Sequence, residues 1–202
     1  VLENFEVKTV LSSDVGADTK TWRDVLDAIE REGCADVTVS VGNRYTFSED
    51  CTFTVLGPVD TETDRNNCSV VLRMDYGETS FLFTGDAEKE AEERMLQRNG
   101  REALQADVLK VGHHGSSTST SAEFLEAVSP SYGVISCGKD NKYGHPHQSA
   151  LDRLSAAGVQ VLRTDEMGTV ILQSDKEQIY AVGRTVETPL ERYIAKLKSW
   201  VA

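Results

Sequence analysis

Apolar and polar positions alternate in short blocks along this chain, and the period changes from block to block. Residues 7–11 form a β-branched apolar run that predicts a strand. Residues 21–32 place Trp22, Val25, Leu26 and Ile29 at helical spacing and close on Gly33, which predicts an amphipathic helix. Residues 37–41 and 52–56 alternate with period two and are separated by turn residues, so they read as antiparallel strands, the last ended by Gly57-Pro58. A polar loop spans 59–67. Residues 69–75 and 80–84 then predict a hairpin around Tyr76-Gly77-Glu78. Helices are expected at 87–98, 121–128 and 148–157, and strands at 106–111, 132–136, 159–162, 169–173 and 178–182. Hairpins together with helix-separated strands point to a mixed sheet covered by helices, an α/β or α+β layered fold. Residues 1–183 are read as one globular unit. Residues 184–202 carry Leu190, Tyr193, Ile194, Leu197 and Trp200 on one helical face after Pro189, which predicts a packing helix more readily than a partner-binding one.

A chain of 202 residues with 39% hydrophobic content can bury a core. No apolar run approaches the roughly 20 residues that cross a bilayer, and no secretory signal pattern is present, so a soluble domain is expected, with compartment and oligomeric state left open. The net charge of −12 disfavours a broad basic face for duplex DNA and points to a small or locally held substrate. Cys34, Cys51, Cys68 and Cys137 show no C-x-x-C spacing, and free thiols are the simpler reading than disulfides.

The candidate chemistry is concentrated. All four histidines, His113, His114, His145 and His147, fall within 35 residues in Gly-bounded polar loops that follow apolar strands. Imidazoles and a carboxylate are common ligands of catalytic zinc or manganese, and Asp86, delivered to the tip of the strand Phe81-Leu82-Phe83, supplies the carboxylate. Asp86 also precedes a predicted helix, where an N-cap role alone would account for it. In Gly112-His113-His114-Gly115, one imidazole suits a metal and the other proton transfer, water orientation or substrate binding. Tyr143-Gly144-His145-Pro146-His147 is either a ligand- or substrate-contacting loop or a polar turn into the next helix. Asn66-Asn67-Cys68-Ser69 has the chemistry of a turn. Lys110, Lys139, Lys142 and Arg153 lie close in sequence to the histidine loops and could form a local basic patch.

Taken in order, Asn66-Asn67-x-Ser69, Phe-Leu-Phe-Thr84-Gly85-Asp86, Asp107-Val-Leu-Lys-Val-Gly-His113-His114-Gly115-Ser116 and Ser136-Cys-Gly138…Asn141-x-Tyr143-Gly144-His145-Pro146-His147 resemble the metallo-β-lactamase-like hydrolase domain of ComEC-type DNA-internalisation (competence) proteins and their stand-alone relatives. The resemblance implies an αββα sandwich, two divalent metals in the intact domain, and hydrolysis of a phosphoester by a metal-activated hydroxide. A phosphodiesterase or nuclease is the reading, with single-stranded DNA one candidate partner. By the same resemblance Asp86 and, of the two adjacent histidines, preferentially His114 bind metal. His113, His145 and His147 are catalytic candidates, and Asn67, Ser69, Lys110, Ser116 and Tyr143 contact substrate or orient the ligands. The family's upstream His-x-(His/Asp)-x-Asp-His cluster has no counterpart here, so the chain is expected to hold half of the metal site as an N-terminally incomplete portion of the fold. A non-catalytic interaction domain that has lost its metal is the alternative.

Overall fold

The computed structural model describes residues 2, 4–61 and 64–182. Strand β1 (Thr9–Ser12), helix α1 (Lys20–Glu32) and strand β2 (Ala35–Thr38) form a small unit in which β1 and β2 pair in parallel. The antiparallel pairing expected for 37–41 is therefore corrected. A helical crossover returns the chain in its original direction, which alternation of side chains alone does not reveal. The limits of α1 are chemically marked: Thr19 Oγ1 accepts from the Trp22 N–H at 3.1 Å, and Gly33 closes the helix in the left-handed conformation.

The main sheet has seven strands in sequence order: β3 (Arg44–Ser48), β4 (Cys51–Gly57), β5 (Val71–Tyr76), β6 (Thr79–Phe83), β7 (Val108–Lys110), β8 (Tyr132–Ile135) and β9 (Gln160–Arg163). From β3 to β6 the neighbours are antiparallel, and from β6 to β9 they are parallel. The change in direction follows from the connections. Tight turns join β3 to β4 and β5 to β6 and a loop with a 3-10 turn (Asn66–Cys68) joins β4 to β5, whereas helices α2 (Lys89–Asn99), α3 (Arg101–Leu104), α4 (Ala122–Val128) and α5 (Gln148–Ala156) carry the chain back between the later ones. A short helix α6 (Thr164–Met167) and a separate hairpin of β10 (Ile171–Ser174) and β11 (Ile179–Val182) follow.

Alternation along the strands puts Val71, Leu82, Leu109 and Ile135 on one face, where they pack with Met95 of α2, Phe124, Leu125 and Val128 of α4, and Leu154 of α5. All are almost completely buried, and this layer is the hydrophobic core. The opposite face carries Met74, Phe81, Phe83, Lys110 and Val134. Together with Leu172 these residues line a cleft of about 400 Å³, and Phe83 remains 40% exposed. The β10–β11 hairpin is fastened beside this face by Thr79 Oγ1 to Ser174 Oγ at 2.7 Å and by the Glu78 N–H to Lys176 O at 2.6 Å. The layered α/β class expected from the sequence is thus the one observed. Cys34, Cys51, Cys68 and Cys137 are all free thiols. The predicted helix within 184–202 lies outside the described residues.

Candidate metal centre

Strands β6, β7 and β8 run parallel, so their carboxyl ends reach the same edge of the sheet, a common place for ligands in α/β folds. After β6 comes Thr84-Gly85-Asp86, and after β7 comes a 3-10 turn, Gly112–Gly115. The two are stitched together: Thr84 Oγ1 donates to Lys110 O at 2.9 Å, and the His113 N–H donates to Gly85 O at 3.0 Å. Gly85 is in the left-handed region, and a Cβ there would lie 2.8 Å from Ser69 Cβ. That close approach lets Ser69 Oγ accept from the Asp86 N–H at 3.0 Å, so Ser69 sets the backbone that presents Asp86. Asp86 is not a helix cap. Helix α2 begins at Lys89 with Glu88 at the cap position, which removes the capping reading of Asp86.

His113 and His114 both adopt left-handed backbone conformations, with φ of 45° and 57°. His114 Nδ1 lies 2.7 Å from Ser136 O, an acceptor, so Nδ1 carries a proton and, in the neutral ring, Nε2 keeps its lone pair. Nε2 is 3.6 Å from Asp86 Oδ1. A divalent ion bonded at roughly 2.0–2.2 Å to each can bridge two donors at that separation. Among the described residues, no group of three or more His, Cys, Asp or Glu side chains is arranged to hold a metal. Asp86 and His114 are thus of the types and at a separation that could share one divalent ion, and among the described residues no third such donor joins them.

His113 is directed to Glu88 instead, with Nδ1 3.1 Å from Oε1. His145 lies 5.6 Å from His113 and 6.4 Å from His114 between ring centroids, and Tyr143 stacks on it at 5.7 Å. Burial holds the His145 pKa below its usual value, and His147, His113 and His114 add to the effect while Asp86 opposes it. A neutral imidazole is thereby favoured at this position.

The loop bearing His145 is fixed mostly by backbone contacts. Asn141 Oδ1 accepts from the N–H groups of Tyr143 and His145. The His147 N–H donates to Gly115 O at 2.9 Å. His147 itself accepts from the Ser117 N–H at Nδ1, 2.9 Å, and so carries its proton on Nε2, 3.2 Å from Tyr143 O. Both of its nitrogens are spent on the backbone, and the ring braces the two histidine loops.

The remaining predicted residues divide by place. Asn67, in the 3-10 turn before β5, is buried against the head of α2, where its Oδ1 accepts from the Glu88 N–H at 3.0 Å and its Nδ2 donates to Glu90 Oε2 at 3.2 Å. Ser116 is buried, with its hydroxyl 2.9 Å from that of Thr118. Lys110 lies on the open sheet face; burial lowers its pKa, while Asp86 and Cys137 partly restore it. Tyr143 is 64% exposed with Lys142 Nζ 4.9 Å from its ring centroid, and with His114, Gly138, Asn141 and His145 it lines a cleft of about 460 Å³. Arg153 departs from the basic patch suggested by its place in sequence. It donates to the carbonyls of Ser117, Ser119 and Thr120 and so holds the loop before α4.

Two carboxylates were missed by the sequence reading. Glu88 joins the histidine cluster. Glu92, 1% exposed, accepts from the backbone N–H groups of Thr120 and Ser121. Their side-chain partners lie 22 to 30 residues away, and no local pattern announces such contacts.

Comparison with known proteins agrees with this architecture. Residues 49–139 match the metallo-beta-lactamase superfamily. ComE operon protein 3 of Bacillus subtilis is 44% identical over 147 residues, covering 72% of this chain and 19% of that protein. Competence protein ComA of Neisseria gonorrhoeae is 44% identical over 107 residues, covering 53% of this chain and 15% of that protein. The chain thus spans a fifth or less of the length of these relatives. Among solved structures, the CmlA beta-hydroxylase E377D mutant aligns over 77% of this chain and 38% of its own, with a TM-score of 0.46 and 13% identity. No helix among the described residues is long and apolar enough to cross a membrane. The chain carries a metallo-beta-lactamase superfamily domain, homologous to segments of these competence proteins.

Proposed function

We propose that this domain contributes to a metal-dependent phosphoester hydrolase, a phosphodiesterase or nuclease, for which single-stranded DNA is a candidate substrate. The superfamily consists largely of metal-dependent hydrolases, which gives the reaction class its starting point. The observation that carries the reading is the pair formed by Asp86 and His114, with carboxylate oxygen and Nε2 facing each other at 3.6 Å at the carboxyl edge of the parallel strands. A second imidazole, His113, anchored on the Glu88 carboxylate, stands beside it.

In this reading Asp86 and His114 hold a divalent ion, zinc or manganese, together with donors outside the pair. Such an ion, when bound, supplies a hydroxide nucleophile near neutral pH and polarises the phosphoryl oxygen. The chain's own residues do the rest. Ser69 and Gly85 fix the Asp86 backbone, and the Ser136 carbonyl fixes the His114 tautomer. His145, kept neutral by its surroundings, offers an uncharged imidazole to substrate or water. Tyr143 and Lys142, on the exposed rim of the adjoining cleft, suit a nucleotide base and its phosphate. The net charge of −12 restricts the substrate to one held locally, which favours a single strand over duplex DNA.

The fact that two donors rather than a full set stand together among the described residues also favours a second reading, a domain of this fold acting as a partner-binding module without metal. One experiment separates the two. Asp86→Ala in the full-length protein is expected to abolish both bound metal and hydrolysis of a single-stranded oligonucleotide. A wild-type protein without metal or turnover supports the module instead.

A further inference from the structure

Glu88 is the group of this cluster that neither the sequence pattern nor the metal pair accounts for. Its backbone sits at the head of α2, yet its side chain makes no capping bond to the helix. One oxygen, Oε1, accepts from three directions: His113 Nδ1 at 3.1 Å, Thr118 Oγ1 at 2.9 Å and Asn66 Nδ2 at 3.4 Å. These donors come from three separate segments, the turn after β7, the loop before α4 and the 3-10 turn before β5. The backbone is fixed as well, because the Glu88 N–H donates to Asn67 Oδ1 at 3.0 Å. A helix-surface glutamate would cost little to leave in solvent. This one is constrained through both backbone and side chain, and the group it constrains is an imidazole at the candidate site.

We infer that Glu88 is a positioning residue that anchors His113 through Nδ1–H, so that in the neutral ring the tautomer is fixed and the Nε2 lone pair is left to the site. The inference rests on the hydrolase reading for its functional consequence, but not for the tautomer itself. A carboxylate acceptor at Nδ1 requires the proton there, because an imidazole nitrogen without a proton would meet the oxygen lone pair to lone pair. His113 is then delivered as an acceptor. Nε2 can accept a hydrogen bond from an attacking water or donate its lone pair to a metal, and in this tautomer it does not donate a proton to a leaving group. The role of proton donor allowed for His113 by the sequence is thereby narrowed to that of water orienter or ligand. His114 shows the same construction with a backbone carbonyl in place of the carboxylate. The adjacent left-handed residues thus turn two imidazoles toward different anchors, each anchored at Nδ1. Removal of an outer carboxylate of this kind lowers metal affinity or activity by roughly 10- to 100-fold.

The test uses the full-length protein labelled with 15N-histidine, in which long-range 1H–15N correlation spectra report the protonated nitrogen of each ring. His113→Asn identifies the His113 signals. The wild type is expected to show the His113 proton on Nδ1. Glu88→Gln keeps it there, since the amide oxygen still accepts, and retains kcat to within a few fold. Glu88→Ala releases the ring to the Nε2–H form and lowers kcat by roughly 10- to 100-fold with KM little changed. A wild-type proton on Nε2 overturns the inference without any variant being needed. So does a folded Glu88→Ala protein whose His113 proton stays on Nδ1. Failure of the hydrolase reading has a different signature: the tautomer result stands while the wild-type protein holds no metal and shows no turnover.

Discussion

Gly115 joins the two histidine loops, and its replacement by alanine separates their cost from ordinary backbone strain. Its φ is +83°, and a Cβ would lie 2.6 Å from Pro146 Cβ and 3.2 Å from Pro146 Cα. Carbon atoms prefer roughly 3.5–4.0 Å, so the loop 143–147 must withdraw by about 1 Å. Left-handed backbone costs an L-residue roughly 1–2 kcal/mol. The withdrawal also breaks or stretches the bond from the His147 N–H to Gly115 O, another contribution of roughly 1 kcal/mol. The sum is about 2–3 kcal/mol, a fall in Tm of roughly 4–12 °C for a domain of this length. Gly144 is the control: its φ is +70° and nothing lies within 4 Å of its Cβ position, so Gly144→Ala carries the backbone cost alone. Thermal unfolding followed by far-UV circular dichroism compares the two. Equal losses of Tm for Gly115→Ala and Gly144→Ala would refute the close packing of the loops. In the hydrolase reading, Gly115→Ala also lowers turnover, because His145 moves away from His113 and His114.

Glu92→Gln tests a pH effect. Burial pushes the Glu92 carboxyl above its usual 4.5, against the hydrogen bonds from Ser121 and Thr120 that favour the charged form. The folded state therefore binds this proton more tightly than the unfolded chain. The stability gained is full below about 4.5 and is lost as pH rises through the raised value. Chemical denaturation at successive pH values should show a shallower decline for Glu92→Gln than for wild type, and identical slopes would remove Glu92 as the cause. His147→Ala loses an acceptor for Ser117 and a donor to Tyr143 O, a destabilisation of roughly 1–3 kcal/mol. Metal content should survive that change, and its loss would instead assign His147 to the metal. Ser69→Ala removes the acceptor for the Asp86 N–H and should weaken metal binding measured by titration with zinc, whereas an unchanged affinity would leave Ser69 without influence on Asp86.

The hairpin of β5 and β6 was legible because two short apolar runs flank a turn residue, Gly77, although Tyr76 proves to belong to the strand, paired with Thr79. The direction of β2 was not, because alternation tells which face a side chain occupies and nothing about its neighbour strand. Helix α2 starts two residues later than the pattern suggested, and that small displacement is what separates Asp86 as a cap from Asp86 as a free carboxylate. Clustering of His113, His114 and His145 followed from the strand ends that carry them, since parallel neighbours deliver their following loops to one edge. What each ring does with its two nitrogens was beyond the sequence. That depends on Ser136 O, Glu88 and the Ser117 N–H, partners brought by loops distant along the chain. Arg153 shows the same limit: a cation near the motifs in sequence spends its donors on backbone carbonyls.

Elemental analysis of the purified full-length protein beside its Asp86→Ala and His114→Ala variants decides whether a divalent metal is held in part by Asp86 and His114. Stoichiometric zinc or manganese is expected in the wild type, with a clear loss in both folded variants. Metal retained in full by either variant, or a wild type that takes up neither ion, would contradict that binding.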